Sequence, residues 1–300
     1  MKQKFFIVLI SLLIFYGNAQ AQFPKGWTPV DTLHDYCWLC HNDQHLIGEP
    51  YIHSFKKEWP FMLTSAAVLG VGLYMGSTDA TQPFTEEEMA GLNTSKINSF
   101  DLVATKNWSP SSQQISDYSL IGISLIPILF LGEHHTGHDF KSLGIMTLEA
   151  FALNYGTTYI VKSTVNRTRP YVYNDSLPLS IRQSKESRQS FYSGHTSQTA
   201  AATFLFAKVF SDYHNLSRGV KVGLWTFAAA VPAVEGYFRV KGGKHYPTDV
   251  ITGYVFGALS GFIIPELHRN HSYKAHSPKM DLGFAPNFKG GVVMNMNVQF

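Results

Sequence analysis

Six apolar segments, each too long for a strand and each bounded by polar stretches, constrain this chain more than any other feature; they are residues 61–76, 119–132, 142–161, 196–210, 220–240 and 250–264. Their Ala, Leu and Gly content and their lack of period-two alternation predict helices. The expected fold is therefore all-α, a six-helix bundle. Most of the segments run about 15–20 residues, against the roughly 20 apolar residues that a membrane-spanning helix needs. The first two are the best candidates to cross a bilayer. Glu149 and Glu235 interrupt apolar segments, and an interhelical hydrogen bond is the expected use of each.

The ends of the chain have their own signatures. Met1-Lys2-Gln3-Lys4, an apolar run over 5–15 and Ala19-Gln20-Ala21 follow the order of a secretory signal, with cleavage expected after Ala21. The domain reading is a signal peptide over 1–21, a polar segment over 22–59, the helical domain over 60–268 and a tail over 269–300. In the tail, Met294, Met296, Val298 and Phe300 alternate with Asn295, Asn297 and Gln299 after Lys289-Gly290-Gly291, which predicts a short terminal strand. In the polar segment, Cys37, Cys40 and His41 have CxxCH spacing. Oxidised or paired thiols in an exported chain are the plain reading, and c-type haem attachment with His45 as second ligand is the alternative. His134, His135 and His138, beside Glu133 and Asp139, are read as a solvated loop in preference to a metal site. The formal net charge of +3 comes without any run of basic residues, so nucleic acid is not an expected partner.

Three polar stretches interrupt the helical pattern. The first runs from Lys162 to Arg169-Pro170, offering a point charge and a planar fork of donors that together suit a phosphate dianion. The second is Ser190-Phe191-Tyr192-Ser193-Gly194-His195, just before the fourth segment. There a hydroxyl, a glycine amide and a helix N-terminus form an anion cradle beside an imidazole. The third holds Arg239, His245 and Asp249; the four-residue spacing lets Asp249 accept from one ring nitrogen of His245 and leave the other free to attack. Arg167 lies inside the first stretch and is read as a surface charge.

In order and spacing these stretches resemble the signature of the type 2 phosphatidic acid phosphatase and vanadium haloperoxidase superfamily: KxxxxxxRP, PSGH and SRxxxxxHxxxD. The resemblance covers about residues 60–266; Tyr192 stands where the family has Pro and Phe238 where it has Ser. The resemblance implies a phosphatase acting on phosphate monoesters or pyrophosphates, with a phosphorylated lipid as substrate and membrane lipids as surroundings. It implies His245 as nucleophile forming a phosphohistidine, Asp249 as its partner and His195 as general acid and then base. Lys162, Arg169, Ser193, Gly194 and Arg239 are implied as the phosphate ligands. No metal or other cofactor is called for, since three cationic side chains stand where a metal ion otherwise would. Vanadate is a phosphate-shaped oxyanion, so the same residues fit a haloperoxidase as well. The implied location is the inner membrane or periplasm of a Gram-negative-type cell envelope, with the site on the periplasmic side.

Overall fold

The computed structural model describes residues 50–51, 55–78, 81–132, 136 and 139–270, together with the backbone of 279–287 and 291–299. The signal-peptide reading, the Cys37, Cys40 and His41 motif and the His134, His135 and His138 cluster lie outside the described residues.

The bundle consists of α1 (Phe55–Ser77), α2 (Pro110–Ser124), α3 (Phe140–Val165), α4 (Gly194–Tyr213), α5 (Arg218–Lys241) and α6 (Pro247–Leu267). A hairpin of β1 (Lys279–Asn287) and β2 (Gly291–Gln299) follows, antiparallel with Lys279 opposite Gln299. The expected terminal strand is thus one arm of a pair. Helix starts follow local chemistry. Ser109, Ser193 and Ser217 each accept a backbone N–H from the first turn that they cap, and Pro110 and Pro247 stand at first-turn positions that need no donor. Asn166, at φ 48° in the left-handed region, ends α3.

The second helix differs from its expected position. It begins at Pro110, in a polar stretch that reads as a connection, and ends at Ser124; residues 126–132 continue as a 3₁₀ turn around Pro127. The candidate spans change accordingly. Among the described residues, Glu58–Ser77 and Pro247–Leu267 are long and apolar enough to cross a membrane, so the last helix takes the place expected for the second.

Close packing of α6 on α4 holds the site together. A Cβ on Gly253 would stand 2.4 Å from the carbonyl oxygen of Ser193, one on Gly257 2.0 Å from that of Ser197, and one on Gly261 2.4 Å from that of Ala201. The four-residue spacing puts the three glycines on one face of α6, so its backbone lies against α4, whose Ala200, Ala201 and Ala202 are fully buried. Gly257→Ala is therefore expected to cost about 1–3 kcal/mol, since neither backbone can yield locally. Thermal unfolding of the purified protein checks this; a melting temperature equal to that of the wild type would contradict the packing.

The loops after α1, α3 and α5 meet at one end. Phe84, Tyr171 and Val172 form a small core there, Arg188 pairs with Glu88 at 2.5 Å, and the Tyr171 amide donates to the Gly243 carbonyl at 3.0 Å. Gly243 has φ +71°, and a Cβ on it would meet the Asn107 oxygen at 2.2 Å, so only glycine fits this turn. Gln113 donates to the carbonyl of Gly242 at 2.7 Å and Asn107 to that of Val240 at 3.1 Å. The short link carrying His245 is thereby fixed on three sides.

Candidate active site

All eight residues singled out in the sequence come together at this end of the bundle. Lys162, in the last turn of α3, donates to the carbonyl of Gln189 at 3.0 Å, and its stem passes Gly194. Arg169 is buried and clamps two loops, its Nε donating to the Glu186 carbonyl at 2.7 Å and its Nη1 to the Lys244 carbonyl at 3.3 Å. Ser193 caps α4, its hydroxyl 2.9 Å from that of Thr196, while its amide donates to the Asp249 carbonyl at 3.0 Å. By helix geometry the first-turn amides beyond it, those of Gly194 and His195, have no intrahelical acceptor.

His245 is 1% exposed. Its Nδ1 lies 2.6 Å from the carbonyl oxygen of Ser190. A carbonyl can only accept, so Nδ1 carries the hydrogen and Nε2 keeps its lone pair. Burial, and after it the charges of Lys162, Arg169 and Arg239, push the His245 pKa well below the ordinary imidazole range. The three cations and His195 thus converge on one ring from separate elements.

Two expectations are corrected here. Asp249 does not accept directly from the His245 ring, because its Oδ2 is 3.6 Å from Nδ1, beyond hydrogen-bond range. That oxygen instead accepts from the Ser190 hydroxyl at 2.6 Å and, reaching back over the first turn of α6, from the Tyr246 amide at 2.9 Å. Asp249 therefore holds Ser190, and the carbonyl of Ser190 sets the His245 tautomer. Arg167, expected at the surface, is a clamp. Its Nη1 pairs with Asp249, its Nη2 with Asp101 at 2.7 Å, and its guanidinium lies 4.2 Å over the Tyr246 ring. Burial opposes its charge, but Asp249 and Asp101 outweigh burial and raise its pKa above the ordinary arginine value. Asp101 also accepts from the Thr248 amide at 3.0 Å and hydroxyl at 2.6 Å, tying the loop after α1 to the start of α6.

Asp117 on α2 was not singled out in the sequence. Its Oδ1 accepts from His195 Nε2 at 2.8 Å and from Arg239 Nη1 at 3.1 Å, and Arg239 Nη1 also donates to Ser116 at 2.8 Å. With its side chain 60% exposed, this carboxylate lies at the solvent side of the cationic cluster. Ser109-Pro110 is a helix-start signal that would have placed Asp117 on a helix. Glu235 accepts from Ser119 at 2.5 Å, the interhelical bond expected of it. Glu149 faces His268 at 3.2 Å on the far half of the bundle.

Fold and site together define a helix bundle with two imidazoles and a group of cations gathered at one end. Comparison with known sequences agrees: residues 144–273 match the family model of the PAP2 superfamily, which shows over that stretch the resemblance read from the three polar motifs. The chain is 26% identical to rat (Rattus norvegicus) phospholipid phosphatase 1 over 159 residues, which is 45% of this chain and 55% of that protein. It thus spans about half the length of this curated relative. A transmembrane PAP2-type phosphatidylglycerolphosphate phosphatase from Bacillus subtilis, known from a crystal structure, is 21% identical, with 71% of this chain and 96% of that one covered at a TM-score of 0.35.

Proposed function

We propose that this chain is a membrane phosphatase that removes a phosphate monoester or pyrophosphate from a lipid through a phosphohistidine on His245. The observation that carries this reading is the His245 ring itself: buried, tied through Nδ1 to the Ser190 carbonyl and surrounded by Lys162, Arg169 and Arg239. A phosphoryl group in transfer needs fixed donors on its equatorial oxygens, an in-line nucleophile and a proton source for the leaving group. Lys162, Arg169, Arg239 and the Gly194 amide act as the fixed donors, with the Ser193 hydroxyl shaping the turn that presents them.

Burial and Arg239 bring the His195 pKa down to about 3, and a bound phosphate dianion offsets the cationic charge so that the ring takes up a proton with the substrate. In the first step the Nε2 lone pair of His245 attacks phosphorus, the P–O bond to the alcohol breaks, and the protonated His195 gives that proton to the departing alkoxide. In the second, His195 takes a proton from water, the water oxygen bonds to phosphorus, and the P–N bond breaks to release inorganic phosphate. Asp117 holds His195 through Nε2, and an incoming phosphate repels this exposed carboxylate away from Arg239. The PAP2 family match and the named activity of the rat relative support phosphate removal from a lipid. Apolar side chains turned outward on the two candidate spans support a membrane setting. They include Leu63 at 60% exposure on α1 and Ile251 at 54% on α6, a belt that water would not tolerate uncovered.

The test is phosphate release by the purified protein in detergent from lipid and soluble phosphate esters, with labelled substrate to trap an acid-labile phosphoprotein. Vanadate is expected to inhibit; halide oxidation with vanadate and peroxide, without phosphate release, would instead favour the haloperoxidase alternative. For His195→Ala the expected loss is small with an aryl phosphate, whose leaving group hardly needs a proton, and about 10²–10⁴-fold with an alkyl phosphate. Equal losses on both substrates would contradict the acid role.

A further inference from the structure

Lys244 stands between Arg239 and His245 in the chain, and the sequence signature leaves it without a role. Its backbone is fixed on both sides: its amide donates to the Arg239 carbonyl at 3.1 Å and its own carbonyl accepts from Arg169. Its ammonium lies 5.0 Å from the Tyr171 ring centroid and 5.8 Å from that of Trp108, two rings that meet edge to face at 5.5 Å. The half-buried head group is therefore set against the aromatic wall of the loops. Among the described residues no hydrogen bond or ion pair reaches it.

The surroundings make an unpaired cation here unfavourable. Arg169 and Arg239 are close enough that, after burial, their charges are the main influences bringing the Lys244 pKa down to about 8; Glu186 and Asp117 act in the opposite direction. A further cation beside Arg169 and Arg239 is unfavourable, and Glu186, Asp117 and the two aromatic rings offset this only in part, so an added anion would stabilise it. Lys162, Arg169 and Arg239 already outnumber the two charges of a phosphate monoester. A substrate that brings a further anionic group next to the reacting phosphate matches the extra cation.

We infer that Lys244 is a specificity residue, binding a second anionic group adjacent to the scissile phosphate, so that diphosphates are preferred over monophosphates of the same chain. This rests on the phosphatase reading above. In such a substrate Nε2 of His245 attacks the terminal phosphorus and the bridging P–O bond breaks. The departing alkyl monophosphate keeps the electron pair, and Lys244 neutralises the charge that collects on it.

The experiment compares wild type, Lys244→Gln and Lys244→Arg, as full-length protein in detergent, on an alkyl monophosphate and the diphosphate of the same alkyl chain. Lys244→Gln is expected to lower kcat/KM for the diphosphate by about 10- to 100-fold, mostly through KM, and for the monophosphate by less than about three-fold. Lys244→Arg keeps the charge and is expected to restore most of the preference. Equal losses on both substrates, or loss on neither, would overturn the assignment. Wild type that releases phosphate from neither substrate would sink the phosphatase reading alone. Calorimetric titration with inorganic pyrophosphate and inorganic phosphate then tests Lys244 directly: weakening by Lys244→Gln confined to pyrophosphate supports it, and unchanged or equally weakened binding refutes it.

Discussion

Alanine at position 245 is expected to lower kcat/KM for phosphate release by about 10⁴-fold or more while leaving the helical fold intact, because it removes the only group proposed to bond to phosphorus. The ring is buried and its Nδ1 is engaged by the Ser190 carbonyl, which fixes Nε2 as the attacking atom, and alanine removes both nitrogens. Phosphate release, phosphoprotein trapping and circular dichroism together check the outcome; a folded variant within ten-fold of wild type would falsify the nucleophile assignment. The same geometry predicts the acid side of the pH profile. Burial and the cations around it keep His245 unprotonated through neutral pH. As pH falls through the depressed pKa the ring gains a proton and activity is lost, so the acid limb of kcat/KM lies below the ordinary histidine range.

Arg167→Ala is expected to be the most damaging change to stability at the site. The side chains of its two partners, Asp101 and Asp249, are wholly buried, whereas that of Arg167 is 25% exposed. Removing one member of a buried ion pair costs about 3–5 kcal/mol, because the carboxylates left behind have neither water nor a cation. Activity should fall with stability, since Asp249 positions Ser190 and through it His245. Arg167→Lys is expected to recover only part of the loss, a single ammonium being unable to bridge both carboxylates in the same plane. Melting curves and phosphate release of the two variants check this; Arg167→Ala melting with the wild type would return Arg167 to the role of surface charge.

Asp117 and Arg167 show why parts of the site were hidden in the sequence. Asp117 lies in the polar first half of α2, where apolar periodicity is silent and only the cap signal of Ser109-Pro110 marks a helix. Arg167 is two residues from the family's arginine, and nothing in the local sequence says that Asp101, distant in the chain, will fold against it. The spacing of His245 and Asp249 suggests a direct bond. The start of α6 diverts the carboxylate to the Tyr246 amide and to Arg167, and a backbone carbonyl, which has no signature in sequence, takes its place.

What the sequence determined by itself was local and periodic. Apolar segments of helical length set the all-α class, serine caps set the starts of α2, α4 and α5, and three polar stretches carried the histidines and cations of the site. What only the tertiary structure decided was which groups meet across the loops after α1, α3 and α5: the Arg167 clamp, the Asp117 bridge, the Ser190 carbonyl on His245 and the half-buried ammonium of Lys244 against Tyr171. The physical reason is range. Helix propensity and capping act over a few residues, whereas hydrogen bonds and ion pairs between loops depend on how closely whole helices pack, and here that distance is set by glycines on α6 lying against the backbone of α4.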